Sequence, residues 1–178
     1  GEQPLTNCKP IYVLDATILI HFSRLGRLDL ILDVCGAFIT REVYHETVVK
    51  GENFPDSLAI KEAVDSGRLK VYEVKTEDPI KVLLRYPEIH RGEAETIVAA
   101  KQLEGTAIID DKEARVIAKV YNVGSAPGCL FLLFRLLRLR KIDANEARSI
   151  LEQLVSSGLH LDSETLLKAY RKIEQRDL

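Results

Sequence analysis

Four consecutive apolar residues with a preference for strands, Ile11-Tyr12-Val13-Leu14, run directly into Asp15 and Thr17. A short uninterrupted apolar run is typical of a strand that is buried on both faces of a parallel sheet. The carboxyl ends of such strands line the crevice in which α/β sheets bind their ligands. This run therefore predicts both a class of fold and an acidic site at the end of a strand.

Strand-like and helix-like segments alternate along the rest of the chain. Further strands are predicted at 37–40, 69–74 and 106–109, each separated from the next by segments with helical spacing of apolar residues. Strands that alternate with helices pack as a mostly parallel sheet with right-handed crossovers on its faces. We therefore expect an α/β fold with three layers, α/β/α, and a central parallel sheet of four or five strands.

The predicted helices end where glycine or proline interrupts the apolar spacing. They are expected at 18–25, 28–34, after Thr40, 57–66, from Asp78 to near Pro87, 92–103, 112–121, 129–140, 144–157 and 163–171. From these segments we predict an N-terminal segment (1–9), a catalytic core (10–126) and a helical C-terminal extension (127–178) that packs on the same domain.

Composition limits the possible functions. With 178 residues, 46% of them hydrophobic and 29% charged, the chain is long enough to bury the core of one domain. The formal net charge of −2 argues against nucleic-acid binding through overall charge, and it leaves a local basic groove possible.

The chain contains three cysteines, Cys8, Cys35 and Cys129, with no Cys-x-x-Cys spacing, and its four histidines have no zinc-ligand spacing. This pattern argues against a disulfide framework or a thiolate zinc site and favours a reducing, cytoplasmic location. No signal-peptide pattern opens the chain, and the longest apolar run is interrupted by Arg135 and Arg138. No membrane span is expected.

Three later segments also bring carboxylates to the edge of an apolar element. They supply the pairs Glu42 and Glu46, Glu93 and Glu95, and Asp110 and Asp111. Several carboxylates in one pocket repel each other and raise each other's pKa unless protons or cations compensate. Mg²⁺ and Mn²⁺ take oxygen ligands and can hold a phosphodiester while activating a water molecule. The sequence predicts an acidic divalent-metal pocket suited to phosphodiester hydrolysis.

The geometry of strands and helices narrows this set of acids. Consecutive strand residues point to opposite faces, so one of Asp110 and Asp111 should enter the crevice while the other caps the next helix or meets solvent. We expect Asp111 to enter it. Glu93 and Glu95 lie on nearly opposite sides of a regular helix, so both can contact one ion only if the first turn is irregular. Thr17 either caps the following helix or orients a metal-bound water.

Four motifs together resemble the PIN-domain ribonucleases of the VapC toxin kind. They lie at 13–17 (VLDAT), 38–46 (FITREVYHE), 92–100 (GEAETIVAA) and 108–115 (IIDDKEAR). Within that superfamily, the Gly-Glu-Ala-Glu helix and the tail at 156–167 resemble a prokaryotic branch with a helical C-terminal extension. The resemblance covers nearly the whole chain.

The resemblance implies a PIN-like sheet flanked by helices and Mg²⁺- or Mn²⁺-dependent cleavage of single-stranded RNA. It also implies a toxin of a toxin–antitoxin pair, frequent homodimers and a cognate antitoxin. Carried over by position, the site consists of Asp15, Thr17, Glu46, Glu95 and Asp111, with Glu93 and Asp110 as further candidate ligands. Glu93 stays open because both glutamates belong to the motif, and Asp110 replaces a small polar residue common in other branches.

Three basic residues, Arg91, Lys112 and Arg115, lie near the predicted pocket and are candidates for RNA binding. The alternative function is a catalytically inactive PIN-like module that binds RNA or a protein partner through the same crevice. A phosphotransfer domain is disfavoured, because a haloacid-dehalogenase-like phosphatase requires a second Asp where this chain has Thr17. The acidic pair of a response-regulator receiver is also missing.

Overall fold

The computed structural model of the protein describes residues 9–51 and 55–175. Within them, one sheet contains five parallel strands in the order β3-β2-β1-β4-β5. The strands are β1 (Ile11–Leu14), β2 (Gly36–Thr40), β3 (Leu69–Tyr72), β4 (Thr106–Ile109) and β5 (Ser125–Pro127). Helices connect the strands and cover both faces of the sheet, as parallel neighbours require. The predicted α/β/α class is confirmed.

Ten α-helices occur in the same part of the chain, at the predicted places and with ends shifted by a few residues. They are α1 (Ala16–Arg24), α2 (Leu28–Asp33), α3 (Arg41–Tyr44), α4 (Pro55–Asp65), α5 (Asp78–Leu83), α6 (Arg91–Gln102), α7 (Lys112–Val120), α8 (Gly128–Arg138), α9 (Ala144–Ser156) and α10 (Ser163–Glu174). None of these helices is long and apolar enough to cross a membrane.

The strands bury alternate residues in two separate cores. Leu14 and Ile108 belong to the core that also contains residues of α1, α2, α8, α9 and α10. Val13 and Ile109 belong to the opposite core, formed with α5, α6 and α7. Because side chains alternate along a strand, the first residue after a strand points to the face opposite to that of the last strand residue, and the second points to the same face. We call this alternation strand parity. It accounts for the direction of the acids at the ends of β1 and β4.

The three C-terminal helices pack against the sheet. Leu132 of α8, Leu151 of α9 and Ile173 of α10 are fully buried, in the same core as Leu14 and Phe22. Removing the side chain of a buried leucine typically costs about 2–5 kcal/mol of stability. These helices are therefore an integral part of the hydrophobic core.

Two strands differ from the prediction. Strand β5 was not predicted, because it has only three residues and one of them is Pro127. Proline has no N–H for the ladder, but β5 lies at the edge of the sheet, where a missing donor is tolerated. Strand β3, at the other edge, ends at Tyr72 instead of continuing to Val74.

The helix that was predicted after Thr40 is α3, but it continues as a π-helical turn at His45–Val49. The N–H of Lys50 donates to the carbonyl of His45 at 2.9 Å, which is the five-residue spacing of a π-helix. Such turns often occur at functional sites, and this one carries Glu46. The sequence pattern did not predict it.

Two of the cysteines are buried in the core. Cys35 and Cys129 are both free thiols, and burial raises the pKa of Cys35 to about 12. A thiol with so high a pKa is almost entirely protonated near neutral pH and is a poor nucleophile. Cys8 lies outside the described residues.

Candidate metal centre

The candidate site lies where the order of the strands reverses. The chain passes from β1 outward to β2 and β3, and then returns to place β4 on the other side of β1. A crevice forms at the carboxyl ends of strands at such a switch point. Asp15 follows β1 directly, and its N–H continues the ladder by donating to the Ile108 carbonyl at 3.1 Å. Asp110 and Asp111 follow β4 on the same edge.

Asp15 is a buried acid with an unpartnered oxygen. Its side chain occupies the N-cap position of α1 without making a capping hydrogen bond, and the residue is only 3% exposed. Among the residues that the structure describes, none donates a hydrogen bond to Asp15 Oδ1. Burial raises the pKa of Asp15 to about 6, although the Ala16 backbone and His90 lower it. A buried carboxylate in this state requires a proton or a cation.

Glu93 lies next to Asp15 and is fixed by the start of α6. Its Oε1 accepts a hydrogen bond from the His90 backbone N–H, and its own N–H donates to His90 Nδ1, both at 3.3 Å. This reciprocal pair is a capping box with histidine as the cap. Ligand atoms of Asp15, His90 and Glu93 all lie within 4.8 Å of one another.

The side chains of Glu93 and Asp111 interact and shift each other's pKa in opposite directions. Burial, together with the nearby charges of Asp15 and Asp111, raises the pKa of Glu93 to about 8, although the hydrogen bond from the His90 backbone lowers it. Asp111 is more exposed; burial alone would raise its pKa, but hydrogen bonds from Glu113 and Glu93 bring that pKa below its usual value. The contact between the two side chains thus favours the protonated form of Glu93 and the ionised form of Asp111. Asp111 also caps α7, because its carboxylate accepts from the Glu113 N–H at 2.9 Å.

Glu46 approaches the same acids from the π-helical turn. A Cβ at Gly92 would lie 2.8 Å from Glu46 Oε1 and 3.1 Å from His90 Cε1, so the glycine leaves room for both side chains. Burial raises the pKa of Glu46, while His90 lowers it. Glu46 in turn raises the pKa of Asp15. The described chain thus brings Asp15, Glu46, Glu93 and Asp111 into one electrostatically coupled group.

Asp110 points away from this group, toward α8. Its carboxylate accepts hydrogen bonds from the Cys129 N–H at 2.9 Å and from the Cys129 Sγ at 3.3 Å. This direction follows from strand parity, since Ile108 points to the same core. Asp110 contributes to the site mainly through its charge, which raises the pKa of Asp15.

Glu95 has other partners than the cluster of Asp15, His90 and Glu93, as expected for a residue two positions from Glu93 on a regular helix. Its Oε2 accepts from Arg91 Nε at 3.0 Å, and its Oε1 accepts from the Glu42 N–H at 3.4 Å. Burial raises the pKa of Glu95, while Glu42 N–H and Arg91 lower it. Glu95 lines an adjacent cleft of about 660 Å³, and its charge raises the pKa of Glu46, so it is coupled to the acidic group through Glu46.

Thr17 and the three basic candidates have different surroundings. Thr17 is exposed in the first turn of α1, where Asp15 and not Thr17 is the N-cap residue. Lys112 is exposed at the start of α7. Arg91 is held between Glu95 and Glu77, and its bond to Glu77 Oε1 measures 2.6 Å.

Arg115 supports the end of β4. Its Nη1 donates to the carbonyl of Ile109 at 2.9 Å and to that of Asp110 at 2.6 Å. These bonds satisfy two carbonyl groups at the point where the strand ends. Arg115 therefore fixes the short segment of backbone that carries both aspartates.

His90 is the member of the site that the sequence analysis missed. The search for zinc-ligand spacing excluded it, because no other histidine lies at a suitable distance along the chain. The signal that could have found it is the spacing His90-x-x-Glu93 before an apolar helix, which has the form of a capping box. That signal also predicts that Glu93 turns back toward the start of the helix.

Comparison with protein families gives a match across nearly the whole chain. A family model described as a PIN domain matches residues 11–175. The match begins at the first residue of β1 and ends just after α10, so it includes every element that contributes an acid to the site. A comparison with curated proteins finds no significant match.

Proposed function

The chain belongs to the PIN-domain family, whose members are generally metal-dependent nucleases, and on that premise we propose that it is an Mg²⁺- or Mn²⁺-dependent endoribonuclease that hydrolyses single-stranded RNA. The observation that carries the proposal is the buried Oδ1 of Asp15, which has no hydrogen-bond partner among residues 9–51 and 55–175, beside the Glu93 carboxyl. A pocket of oxygen donors with excess negative charge fits a hard divalent cation. The same charge makes the empty pocket unfavourable at neutral pH.

We assign the ligands from these contacts. Asp15, Glu93 and Asp111 would hold the cation directly, and Glu46 would hold it directly or through water. Glu95 would act on the adjacent cleft, because its carboxylate is already paired with Arg91. A bound divalent cation supplies positive charge at the reacting phosphate and lowers the pKa of a coordinated water. One or two ions are compatible with this set of acids.

The remaining side chains would position the RNA and water. Thr17 is exposed in the first turn of α1, and its hydroxyl would orient a water molecule at the edge of the crevice. Lys112 is exposed beside Asp111 and would bind a phosphate of the substrate. Arg91 and Arg115 are engaged within the protein, so their contribution would be to hold Glu95 and the end of β4 in place.

The resemblance to the VapC kind of PIN domain supports a more specific proposal. The protein would be the toxin of a toxin–antitoxin pair, with a cytoplasmic location, a homodimeric state and a cognate antitoxin as its partner. The support is the set of four acidic motifs in order, together with the Gly-Glu-Ala-Glu helix.

A cleavage assay with a matched pair of variants tests the proposed activity. The wild-type protein should cleave single-stranded RNA in the presence of Mn²⁺ or Mg²⁺ and lose this activity in EDTA. Glu93→Gln should lower the rate by about 100-fold or more, because it removes a ligand charge from the site. Glu95→Gln removes the same charge two residues away and should lower it by less than about tenfold. Cleavage that survives EDTA would refute the proposal.

Metal binding should stabilise the protein more at high pH than at low pH. Because folding raises both pKa values, proton binding to Asp15 and Glu93 stabilises the folded state. This contribution is complete at pH values below the ordinary pKa values of 3.8 and 4.5. That contribution is lost as the pH rises through about 6 for Asp15 and about 8 for Glu93. Mn²⁺ replaces these protons, so the increase in Tm on adding Mn²⁺ should be larger near about pH 8 than near about pH 5.5.

Thermal unfolding in EDTA and in Mn²⁺ at both pH values provides the measurement. In EDTA, stability should fall across this range of pH. An equal Mn²⁺-induced increase in Tm at both pH values would show that the cation does not compete with the protons of these two acids.

A further inference from the structure

The side chain of His90 is fixed by a contact that determines which ring nitrogen carries hydrogen. The Glu93 backbone N–H points at His90 Nδ1, with a nitrogen-to-nitrogen distance of 3.3 Å. A backbone N–H can only donate, so Nδ1 must accept and carries no hydrogen. In the neutral ring the hydrogen is therefore on Nε2.

This assignment decides what His90 can do in the site. A nitrogen that carries a hydrogen has no free lone pair for a metal ion. Coordination through Nε2 would require the hydrogen to move to Nδ1, which would end the capping hydrogen bond of α6. His90 is thus positioned as a hydrogen-bond donor beside the acids, although its ring lies close enough to be a ligand.

The ring also lies at the accessible side of the site. Its side chain is 56% exposed, whereas the Glu93 side chain is 3% exposed. Nε2 is 3.3 Å from Glu93 Oε1, so the donor lies next to the carboxylate group that would hold the cation. The absence of a side chain at Gly92 keeps the space between the ring and Glu46 clear.

We propose that His90 donates a hydrogen bond from Nε2 to a phosphate oxygen of the bound RNA, and that it is a substrate-binding residue and not a metal ligand. This proposal rests on the proposed ribonuclease function. The donor is present whether the ring is neutral or protonated. The Nε2–H group carries a partial positive charge. It lies beside a group of carboxylates that would otherwise repel the RNA backbone.

The variant His90→Asn separates the two roles of the ring. An asparagine at the cap position can still accept from the Glu93 N–H, so α6 should keep its start. It is too short to place a donor where Nε2 lies. His90→Ala, which removes the cap as well as the donor, is the matched comparison for stability.

The measurements are kcat/KM on an end-labelled single-stranded RNA oligonucleotide at saturating Mn²⁺, the Mn²⁺ midpoint from thermal shift, and Tm. For His90→Asn, kcat/KM should fall by about tenfold or more, as for a lost hydrogen bond to a charged group. Its Mn²⁺ midpoint should stay within about twofold of the wild-type value. His90→Ala should lose the same cleavage and also show a lower Tm.

Two results would overturn the proposal. One is an unchanged kcat/KM for His90→Asn; the other is a weakened Mn²⁺ midpoint with cleavage restored by excess Mn²⁺, which would make His90 a ligand.

If the wild-type protein cleaves no RNA, the ribonuclease function fails, and binding of the same RNA in Mn²⁺ then tests the donor alone. Weaker binding by His90→Asn would support it, and equal binding, or none by the wild type, would overturn it.

Discussion

Replacing Asp15 with asparagine is expected to lower RNA cleavage by about 10²–10³-fold while leaving the protein folded. Asparagine has the same shape but no charge, so it removes the acid at the centre of the group. The Asp15 oxygen that has no partner in the described part of the chain is costly to bury as a carboxylate and much less costly as an amide. In EDTA near neutral pH, the variant should therefore be at least as stable as the wild type. Cleavage assays and thermal unfolding provide the measurements.

Asp143→Asn is the matched control for this variant. Asp143 is also the N-cap of a helix, and its carboxylate accepts from the Glu146 N–H at 2.8 Å at the start of α9. It lies outside the candidate site, and asparagine keeps the cap. Asp143→Asn should retain both cleavage and the Mn²⁺-induced increase in Tm, whereas Asp15→Asn should lose both. Full activity in Asp15→Asn would contradict the assignment of the site.

Replacing Gly128 with alanine is expected to destabilise the protein by about 3 kcal/mol or more. Gly128 has a φ of +32°, and a Cβ there would overlap the Asp110 carboxylate and lie 2.8 Å from Ile18 Cδ1. The carboxylate cannot move freely, because it accepts two hydrogen bonds from Cys129. The first turn of α8 would have to shift away from the end of β4. Urea denaturation of the wild type and the variant gives the difference in the free energy of unfolding.

Gly26→Ala separates backbone strain from this overlap. Gly26 has a φ of +66°, and a Cβ there would have nothing within 4 Å. The variant should lose only about 1–2 kcal/mol, which is the cost of a left-handed conformation in a residue with a side chain. Equal losses in the free energy of unfolding for the two variants would mean that the overlap between a Cβ at Gly128 and the Asp110 carboxylate adds nothing to the cost of backbone strain.

The strands at the centre of the sheet could be predicted because their burial is visible in the sequence. Strands β1 and β4 are buried on both faces, so each reads as an uninterrupted apolar run. The short edge strand β5 lacks that signal, and its pairing depends on β4 being already in place. The π-helical turn at His45–Val49 has no periodicity of its own, so the sequence predicted an ordinary helix there.

The site could be predicted as a group of acids, but the direction of each acid depends on packing. Strand parity places Asp15 on the side of Val13 and Asp111 on the side of Ile109, yet only the structure shows that both sides face α6. The apolar spacing gave no signal for the rotation of α6, because every residue from Gly92 to Ala100 is buried; only the capping-box spacing of His90 and Glu93 indicated the direction of Glu93. The sequence left Glu93 and Glu95 as alternatives, and the proposed assignment of Glu93 rests on its place beside Asp15.

A crystal of the protein soaked in Mn²⁺ and measured for anomalous scattering tests the central claim most directly. We predict anomalous density between the carboxylates of Asp15 and Glu93, within bonding distance of the Asp15 Oδ1 that has no partner among the described residues. Density only beside Glu95 in the adjacent cleft, or none near Asp15, would contradict it.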